Sequence, residues 1–409
     1  MKYQYKDNQI IFDKIYSVKE IVFTKPVKSI EWAINPEIKN TNNIVIDGNK
    51  VLFMNVHVRY LFLGEDNKIT SIVKGDGYTI TEETKIDNVF RRNKGWAGAD
   101  GIYSHVYKDT IHWYFSDTLV GDVNPITRKR KNMVMVNNTV GVSNTQKPFL
   151  IDFMVKKDQK NKYTSFYVPE KEGYYWLQDG VYKDGYLYIS VIRVRDDKDK
   201  WFVVLGSEMI KVKVNADDTL DYNNYTRFDN PTYFEMNGET YTFGAAMLDD
   251  TTRTGYYYMF GYDNKLEKNL YMLRVKDFEK QDSYEYFTEN GWSNNPTNFK
   301  VIGENVANEM RIIYDGKYIL SYTKQCATET IEIASTNDLE KGFTNRIIIY
   351  QCKEAFYNDT LITYNAKLHQ FPNDNDLYFT YNVNTTVIED LVDADIYYPR
   401  WLRLEKESD

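Results

Sequence analysis

The sequence predicts an all-β protein in which a five-bladed β-propeller follows a small antiparallel β-sandwich. Short runs rich in Tyr, Phe, Val and Ile alternate apolar with polar residues and are separated by turn residues, a pattern typical of β-strands. No amphipathic segment of about 12 residues, long enough for an ordinary helix, interrupts these runs after residue 95. In the same region the chain repeats one pattern five times, and repetition of a strand-rich unit is typical of propeller blades.

Composition and charge argue against several classes of function. The formal net charge is −8, and the basic run at residues 128–131 (RKRK) is interpreted as a solvated loop, so nucleic acid is not expected as a partner. No apolar run approaches the roughly 18–20 residues of a membrane span. The first residues lack the apolar segment of a secretory signal. Two expectations stay open: a cytoplasmic, spore-associated or phage-associated protein, and a secreted protein whose signal has been removed.

Neither a metal nor an organic cofactor is predicted. The four histidines are scattered, and the sequence holds no CxxC or HExxH motif of a zinc site. It also lacks a glycine-rich loop of the kind that binds nucleotide phosphates. Cys326 and Cys352 are too few for a disulfide framework, so we expect free, partly buried thiols.

Residues 1–80 are predicted to form the sandwich domain, with one long strand from residue 50 to 63. The DGNK turn at residues 47–50, this strand and the charged hairpin after it resemble the modules of clostridial spore-coat and SipL-type proteins, domain-of-unknown-function family 3794. The prediction therefore allows for a protein partner bound through this module. Residues 80–94 carry mixed charges and are interpreted as the linker into the propeller domain, residues 81–409.

Five units make up the predicted propeller. Each opens with small or polar residues at the start of an inner strand and continues, after a turn, into an aromatic strand. The openings are residues 98–101 (GADG), 178–181 (QDGV), 243–246 (FGAA), 308–311 (NEMR) and 364–367 (YNAK). Because the inner strands of a propeller face its central channel, we expect these openings to converge on one funnel.

Two acidic residues mark the first unit as a candidate catalytic site. Asp100 and Asp117 each stand at the end of an apolar, aromatic segment. A carboxylate in such surroundings costs several kcal/mol of desolvation unless it is paired or used. The alternative is that both are turn residues of hairpins, since Asp-Gly is a strong turn signal.

Several segments resemble domain-of-unknown-function family 4185, over most of residues 95–403. The segments are 95–104 (GWAGADGIYS), 113–118 (WYFSDT), 135–142 (MVNNTVGV), 290–293 (NGWS), 304–306 (ENV), 364–369 (YNAKLH), 381–384 (YNVN) and 398–401 (YPRW). That family is similar to five-bladed, family 43-like glycoside hydrolases, and its members in glycoside hydrolase family 183 cleave D-arabinan internally. The resemblance implies that Asp100 and Asp117 are the catalytic pair. This chain has Asn-Glu-Met at residues 308–310 where relatives more often have Pro-His-Met.

Glycoside hydrolysis requires one carboxylic acid to protonate the leaving oxygen and a second carboxylate as nucleophile or base. Asp100 and Asp117 are the predicted pair, and Asp179 in the second unit is a third candidate. A repeated blade-opening turn is an equal alternative for Asp179. For Glu309 a structural role is favoured over a catalytic one, because it stands where the chain departs from the family pattern.

The predicted substrate-binding residues are those that could bond or stack on a sugar at the funnel. Amides suit hydroxyl groups, basic groups balance the carboxylates, and aromatic rings stack on sugar faces. The candidates are Trp96, Asn137, Asn138, Glu309, Arg311, Asn365, Lys367 and His369. Trp113, Trp176 and Trp292 are further aromatic candidates, although most propeller tryptophans pack between blades. A core histidine remains the alternative for His369.

Two functions follow from these observations. The first is a glycoside hydrolase that cleaves an arabinan-like or other cell-wall polysaccharide and needs no cofactor. The alternative is a carbohydrate-binding or structural propeller of a spore or a phage that has no catalytic activity. The divergent fourth unit and the additional N-terminal module favour the alternative.

Overall fold

A computed structural model describes residues 1–406 and consists almost entirely of β-strands. The chain forms a five-bladed β-propeller preceded by a small antiparallel β-sandwich, which confirms the predicted fold class. Within residues 1–406, no helix has the length and apolar character needed to cross a membrane.

The strands of the N-terminal β-sandwich are hydrogen-bonded into one curled antiparallel sheet. Its strands are β1 (Tyr3–Lys6), β2 (Gln9–Phe23), β3 (Ile30–Ala33), β4 (Ile44–Asp47), β5 (Lys50–Phe53), β6 (His57–Leu63) and β7 (Ile69–Glu82). The long strand predicted over residues 50–63 is divided in two, because Asn55 adopts a left-handed conformation with φ 56°. This break lets β5 pair with the end of β2 while β6 pairs with its beginning and middle.

The segment predicted as a linker is folded against the propeller. After β7 the chain forms helix α1 (Thr84–Phe90). Ile86 and Phe90 on this helix are buried, and the Phe90 ring contacts Trp96, Trp113 and Trp401. The charged residues noted in the sequence therefore cover an apolar face that anchors the segment.

The first two blades follow α1. The first region contains β8 (Lys94–Ala99), β9 (Tyr103–Tyr107), β10 (Thr110–Phe115), β11 (Thr118–Val123), β12 (Arg130–Val136), β13 (Thr139–Asn144), β14 (Lys147–Met154), β15 (Lys156–Lys157) and β16 (Tyr163–Thr164). Strands β9, β10, β13 and β14 form the blade, and β8, β11 and β12 form a side sheet. The second blade contains β17 (Tyr174–Lys183), β18 (Tyr186–Asp197), β19 (Trp201–Lys213) and β20 (Thr226–Asp229).

The remaining blades complete the ring. The third region contains β21 (Tyr233–Met236), β22 (Glu239–Asp249), α2 (Thr251–Thr254), β23 (Tyr257–Asp263), β24 (Lys268–Val275), β25 (Tyr284–Thr288), β26 (Gly291–Ser293) and β27 (Gly303–Val306). The last two contain β28 (Met310–Tyr314), β29 (Tyr318–Thr323), β30 (Thr330–Thr336), β31 (Asn345–Gln351), α3 (Glu354–Tyr357), β32 (Leu361–Gln370), β33 (Leu377–Thr385) and β34 (Pro399–Glu405). Single 3-10 turns lie at Gln281–Ser283, Leu339–Lys341 and Ile388–Val392.

Five inner strands surround the central channel. They are β9, β17, β22, β28 and β32; each contacts the next, and β32 contacts β9. Of the five unit openings predicted from the sequence, residues 98–101 and 308–311 lie at the start of their strands, and the other three begin within the first half of theirs. The channel end at which the strands begin is therefore the end at which the candidate site residues meet.

The N-terminal module closes the ring. Strand β7 pairs antiparallel with β34, with Glu82 opposite Leu402 and Thr79 opposite Glu405, so it is the fourth strand of the last blade. The same strand pairs with β2 of the module. The boundary predicted after residue 80 thus falls inside a strand, and one apolar core extends from the module into blades 4 and 5.

Ile80 tests this shared core, because it is fully buried on β7 opposite both Ile15 and Leu404. We expect Ile80→Ala to lower the free energy of unfolding by about 2–5 kcal/mol through the cavity that it leaves. Val73→Ala is the matched control: Val73 is 46% exposed on the same strand and should cost less than about 0.5 kcal/mol. Urea denaturation followed by circular dichroism measures both, and two transitions of which Ile80→Ala shifts only one would contradict a shared core.

Candidate active site

Irregular strand pairing directs side chains into the upper channel. On β17, β22 and β32 the register with the neighbouring strand slips at residues 177–180, 243–246 and 364–367, which are three of the predicted openings. An extra residue in one strand bends it and redirects the local side chains. The small and polar residues seen in the sequence are therefore those of bulges at the channel mouth.

A cavity of about 260 Å³ occupies this mouth. The residues that line it come from all five blades and include Asp100, Trp176, Phe202, Glu309, Tyr364 and Asn365. A wider depression of about 480 Å³ lies at the opposite end of the channel, where the inner strands finish, and Asp249 is its single acidic lining residue. Because hydrolysis of a glycoside requires two carboxyl groups, we take the smaller cavity as the candidate active site.

Asp100 and Ser116 line this cavity, and Asp117 follows Ser116 on the segment adjacent to Asp100. The Asp100 backbone N–H donates to the Asp117 carbonyl oxygen at 3.2 Å, and the Ser116 N–H donates to the Asp100 carbonyl at 2.9 Å. Gly101 follows with φ 61°, and a Cβ there would lie 2.5 Å from the Ser116 hydroxyl. The Asp-Gly pair is therefore a bend between two strands of different sheets, β8 and β9, and its bonds to residues 116–117 bring the two acids together.

The two carboxyl groups have different hydrogen-bond partners. Tyr364 donates its hydroxyl to Asp100 Oδ2 at 2.7 Å, and Asn384 in turn donates to the Tyr364 hydroxyl at 3.1 Å. Asp117 Oδ1 accepts from Asn137 Nδ2 at 3.1 Å and from Trp176 Nε1 at 2.9 Å. Two N–H donors hold Asp117, whereas a hydroxyl holds Asp100.

These surroundings separate the protonation behaviour of the two acids. Burial, followed by the negative charges of Asp117 and Glu309, raises the pKa of Asp100 to about 8. Burial also raises the pKa of Asp117, but the hydrogen bonds from Asn137 and Trp176 oppose it and the value is about 6. Since the two groups interact, Asp100 keeps its proton after Asp117 has ionised.

Lys367 and Glu309 form an ion pair beneath these acids. The Lys367 ammonium donates to Glu309 Oε2 and lies 4.4 Å from the centre of the Tyr103 ring. Lys367 is fully buried, and burial lowers its pKa even though Glu309 favours the charged form. The pair joins blade 4 to blade 5, and Glu309 is also part of the cavity lining.

Asp179 and Arg311 occupy the centre of the channel and connect all five blades. Asp179 of blade 2 accepts from the Met247 N–H of blade 3 at 2.9 Å and lies 3.4 Å from Arg311 Nε of blade 4. Arg311 donates to the Ser104 carbonyl of blade 1 at 2.9 Å, and the Ser104 hydroxyl bonds to His369 of blade 5 at 2.8 Å. We refer to these five residues as the channel hub.

The charges in the channel hub are matched and largely buried, with 15% of the Arg311 side chain exposed. Asp179 is 0% exposed, and burial raises its pKa although Arg311 and two backbone N–H groups oppose the shift. Burial and the nearby Arg311 hold the pKa of His369 well below its usual range, so His369 is a neutral hydrogen-bonding group. The structure thus places Asp179, Arg311 and His369 below the cavity mouth, in a packed layer.

The other predicted substrate-binding residues fall into two groups. Asn137 bonds to Asp117, and Asn365 lines the cavity with φ 58° in a bulge. Trp96 is 1% exposed and packs against Phe115 and Phe153, so its faces are covered by other rings. Asn138 is also buried and donates to the carbonyls of Tyr167 and Tyr175, which makes it a blade-to-blade connector away from the substrate.

The sequence did not predict which residues form hydrogen bonds to the two acids. Tyr364 and Asn384 belong to motifs that the sequence analysis quoted, but their hydroxyl and amide were not assigned a role. Trp176 was a candidate for stacking, and the structure adds that its N–H bonds to Asp117. Phe202 gave no signal in the sequence, because nothing local shows that its strand bends over the cavity.

Fold and site together define the class of the protein: a five-bladed propeller with a cavity of paired carboxyl groups at the channel mouth. More specifically, residues 83–406 match the model of the family described as "Domain of unknown function (DUF5005)", and the chain belongs to this family. The resemblance to family 4185 and that of the N-terminal module to family 3794 stay predictions. No match is found among curated protein sequences.

Solved structures with a similar fold include a protein from Bacteroides ovatus ATCC 8483 described as a candidate hydrolase. The two chains share 16% identity with a TM-score of 0.65, over 80% of this chain and 92% of that one, which shows a common fold. A GH43 β-xylosidase/α-arabinofuranosidase from a compost metagenome gives 15% identity and a TM-score of 0.42, over 78% and 96%. An α-L-arabinanase of Cellvibrio cellulosa shares 11% identity with a TM-score of 0.41, over 76% of this chain and 93% of that one.

The raised pKa of Asp100 predicts how stability depends on pH. In the folded protein Asp100 stays protonated up to about pH 8, whereas in the unfolded chain it ionises above about pH 4. The stability that Asp100 contributes is therefore complete at low pH and is lost as the pH rises from about 4 to 8. We expect Asp100→Asn, which cannot ionise, to gain in Tm relative to the native protein as the pH rises through this window. A Tm difference that is constant across a pH series of thermal melts would contradict the shift.

The channel hub predicts a different result for Asp179. Removal of its carboxylate leaves Arg311 without its ion-pair partner and the Gly180 and Met247 N–H groups without acceptors. We expect Asp179→Ala to lower the free energy of unfolding by about 3–5 kcal/mol, measured by urea denaturation. Asp122→Ala is the control, because Asp122 is exposed on β11 and should change stability by less than about 0.5 kcal/mol. An unchanged midpoint for Asp179→Ala would show that the hub does not hold the blades together.

Proposed function

We propose that this protein is a glycoside hydrolase that cleaves a polysaccharide at the cavity lined by Asp100 and Glu309, with Asp117 adjacent to Asp100. The observation that carries the proposal is the difference between two adjacent carboxyl groups. Asp100 is surrounded by apolar and negative groups that keep it protonated, while two N–H donors stabilise the ionised form of Asp117. Pairs of acids whose surroundings separate their pKa values are what general acid and base catalysis requires.

In the proposed mechanism Asp100 donates its proton to the glycosidic oxygen as the bond to the leaving sugar breaks. Asp117, as the carboxylate, attacks the anomeric carbon or takes a proton from a water molecule that does so. Tyr364 fixes one oxygen of Asp100 and, with its own pKa raised well above the usual range, remains a hydroxyl donor throughout. Departure of the proton from Asp100 is favoured as positive charge develops on the sugar.

Glu309 is the second candidate for the carboxylate that faces the sugar ring. It lines the cavity, and the ammonium of Lys367 donates to its Oε2. This arrangement supports a catalytic or sugar-binding role in place of the structural role preferred from the sequence. It also gives a physical reason for the departure at residues 308–310, since a carboxylate at position 309 neutralises the buried Lys367.

The chemistry of the cavity favours a neutral glycan. Two carboxyl groups, those of Asp100 and Glu309, line it, and the Lys367 ammonium is bound to Glu309, so an acidic sugar would be repelled. The resemblance to family 4185 supports an arabinan-like or other cell-wall polysaccharide cleaved internally. The protein from Bacteroides ovatus, which shares the fold, is itself described as a candidate hydrolase.

Incubation of the purified protein with linear arabinan, arabinoxylan, arabinogalactan and pectic galactan, followed by chromatography of released oligosaccharides, tests the proposal. We expect cleavage of at least one glycan and a loss of about 10²–10⁴-fold in rate for Asp100→Asn and for Asp117→Asn, the usual contribution of general acid–base catalysis. Asp122→Asn is the matched control on the neighbouring strand and should retain full activity. Glu309→Gln distinguishes a catalytic from a binding role by its effect on kcat as opposed to KM.

Two outcomes would contradict the proposal. Product formation that survives both Asp100→Asn and Asp117→Asn would remove the pair from the reaction. Binding of a glycan without release of any product, by a protein with normal circular dichroism, would instead support the alternative of a non-catalytic carbohydrate-binding protein.

A further inference from the structure

The β18–β19 hairpin leans over the active-site cavity. Its strands have 12 and 13 residues and are the longest that begin within the propeller. The lining of the cavity includes Ile192 from β18 and Phe202 and Val204 from β19. Blade 2 therefore contributes its second and third strands to the site in addition to its inner strand, β17. The end of this hairpin is therefore part of the site although it lies outside the ring of inner strands.

Trp201 lies at the tip of the hairpin and is unusual both in its exposure and in its backbone conformation. Its side chain is 70% exposed, and its backbone has φ 68°, in the left-handed region where glycine or asparagine is favoured. Asp197 holds the turn, because its Oδ1 accepts from the backbone N–H of both Asp199 and Lys200 at 2.9 Å. A bulky residue in this conformation is unfavourable for folding and indicates a function for the side chain.

Aromatic contacts connect the hairpin to the reacting acids. The Phe202 ring, next along the chain from Trp201, lies edge-on to Trp176 with 4.6 Å between centroids. Trp176 Nε1 donates to Asp117 Oδ1 at 2.9 Å. Tyr174 packs against Trp176 and donates to Asp196 of the hairpin at 2.8 Å, which fixes the hairpin to the inner strand. Trp176 and Phe202 thus connect Asp117 to the hairpin that carries Trp201.

We propose that Trp201 and Phe202 form a binding subsite for a sugar unit of the polysaccharide outside the cleaved linkage. This inference rests on the proposed function and specifies its substrate: a neutral glycan chain that extends from the carboxyl pair to the hairpin tip. The apolar C–H face of a sugar ring fits an aromatic ring, and Trp supplies the largest such surface at low entropic cost. The tip carries Asp197, Lys198, Asp199 and Lys200 in alternation, which favours no charged ligand.

Binding is measured in an Asp100→Asn background, so that the glycan is retained. The probes are linear arabinan, arabinoxylan, arabinogalactan and pectic galactan, in affinity gel electrophoresis. We expect Trp201→Ala to weaken binding of the retained glycan about tenfold, the usual loss of one aromatic anchor. Leu266→Ala is the matched control, because Leu266 is 86% exposed on another blade, and it should bind as the parent does.

A second pair of variants separates the subsite from a structural role. Glycine and asparagine adopt the left-handed conformation readily, so Trp201→Gly and Trp201→Asn should keep or raise Tm while they lose the same affinity as Trp201→Ala. Trp201→Tyr retains an aromatic face and should recover most of the binding. A fall in Tm that parallels the loss of affinity would overturn the subsite in favour of a structural role.

The remaining outcomes distinguish this inference from the proposed function. Unchanged affinity of Trp201→Ala, for a glycan that the native protein cleaves and Asp100→Asn does not, overturns the subsite and leaves the hydrolase intact. Absence of both binding and cleavage for every glycan overturns the two together. Weaker binding by Trp201→Ala without cleavage by the native protein supports the subsite in a non-catalytic carbohydrate-binding protein.

Discussion

The ion pair between Asp179 and Arg311 is the interaction on which the propeller depends most directly. Ionisable groups at the centre of a ring of strands are removed from water, and this is tolerated only if each finds a partner. The hub satisfies the condition with one residue or peptide group from every blade. Its geometry fixes the distances between inner strands, and hence the width of the cavity mouth in which Asp100 and Glu309 lie.

Above the hub, the buried carboxyl group of Asp100 lowers the stability of the folded protein at neutral pH. Asp100 is held where its ionised form is unfavourable, and within residues 1–406 no ion pair joins it to a cation, in contrast to Asp179 and to Glu309. A carboxyl group of this kind is costly at neutral pH, and such costs are typical of sites that carry chemistry. Three acids within one channel thus differ in their chemistry because their partners are arginine, lysine and tyrosine.

Sequence reasoning located the fold and the site openings, because strand alternation and unit repeats are local patterns. It could not find that Lys367 pairs with Glu309 or that Tyr364 bonds to Asp100, since these partners are far apart in sequence and their register depends on bulges. Trp96 was predicted to stack on a sugar, because the sequence pattern of an aromatic residue at a strand end is the same whether its side chain packs inward or faces a cavity. Sequence reasoning placed a domain boundary inside β7, because nothing local shows that one strand belongs to two sheets.

The sharing of β7 has a consequence for the order of events on the ribosome. Residues 79–82 are made early, but their partners on β34 are residues 402–405, at the far end of the propeller. At roughly 5–20 residues per second this edge waits on the order of tens of seconds for its partner. During translation the nascent chain therefore carries an unpaired strand edge and an open ring. Emergence of residues 402–405 pairs this edge and closes the ring at the same time, so the ring cannot close before the strands of all five blades have been made.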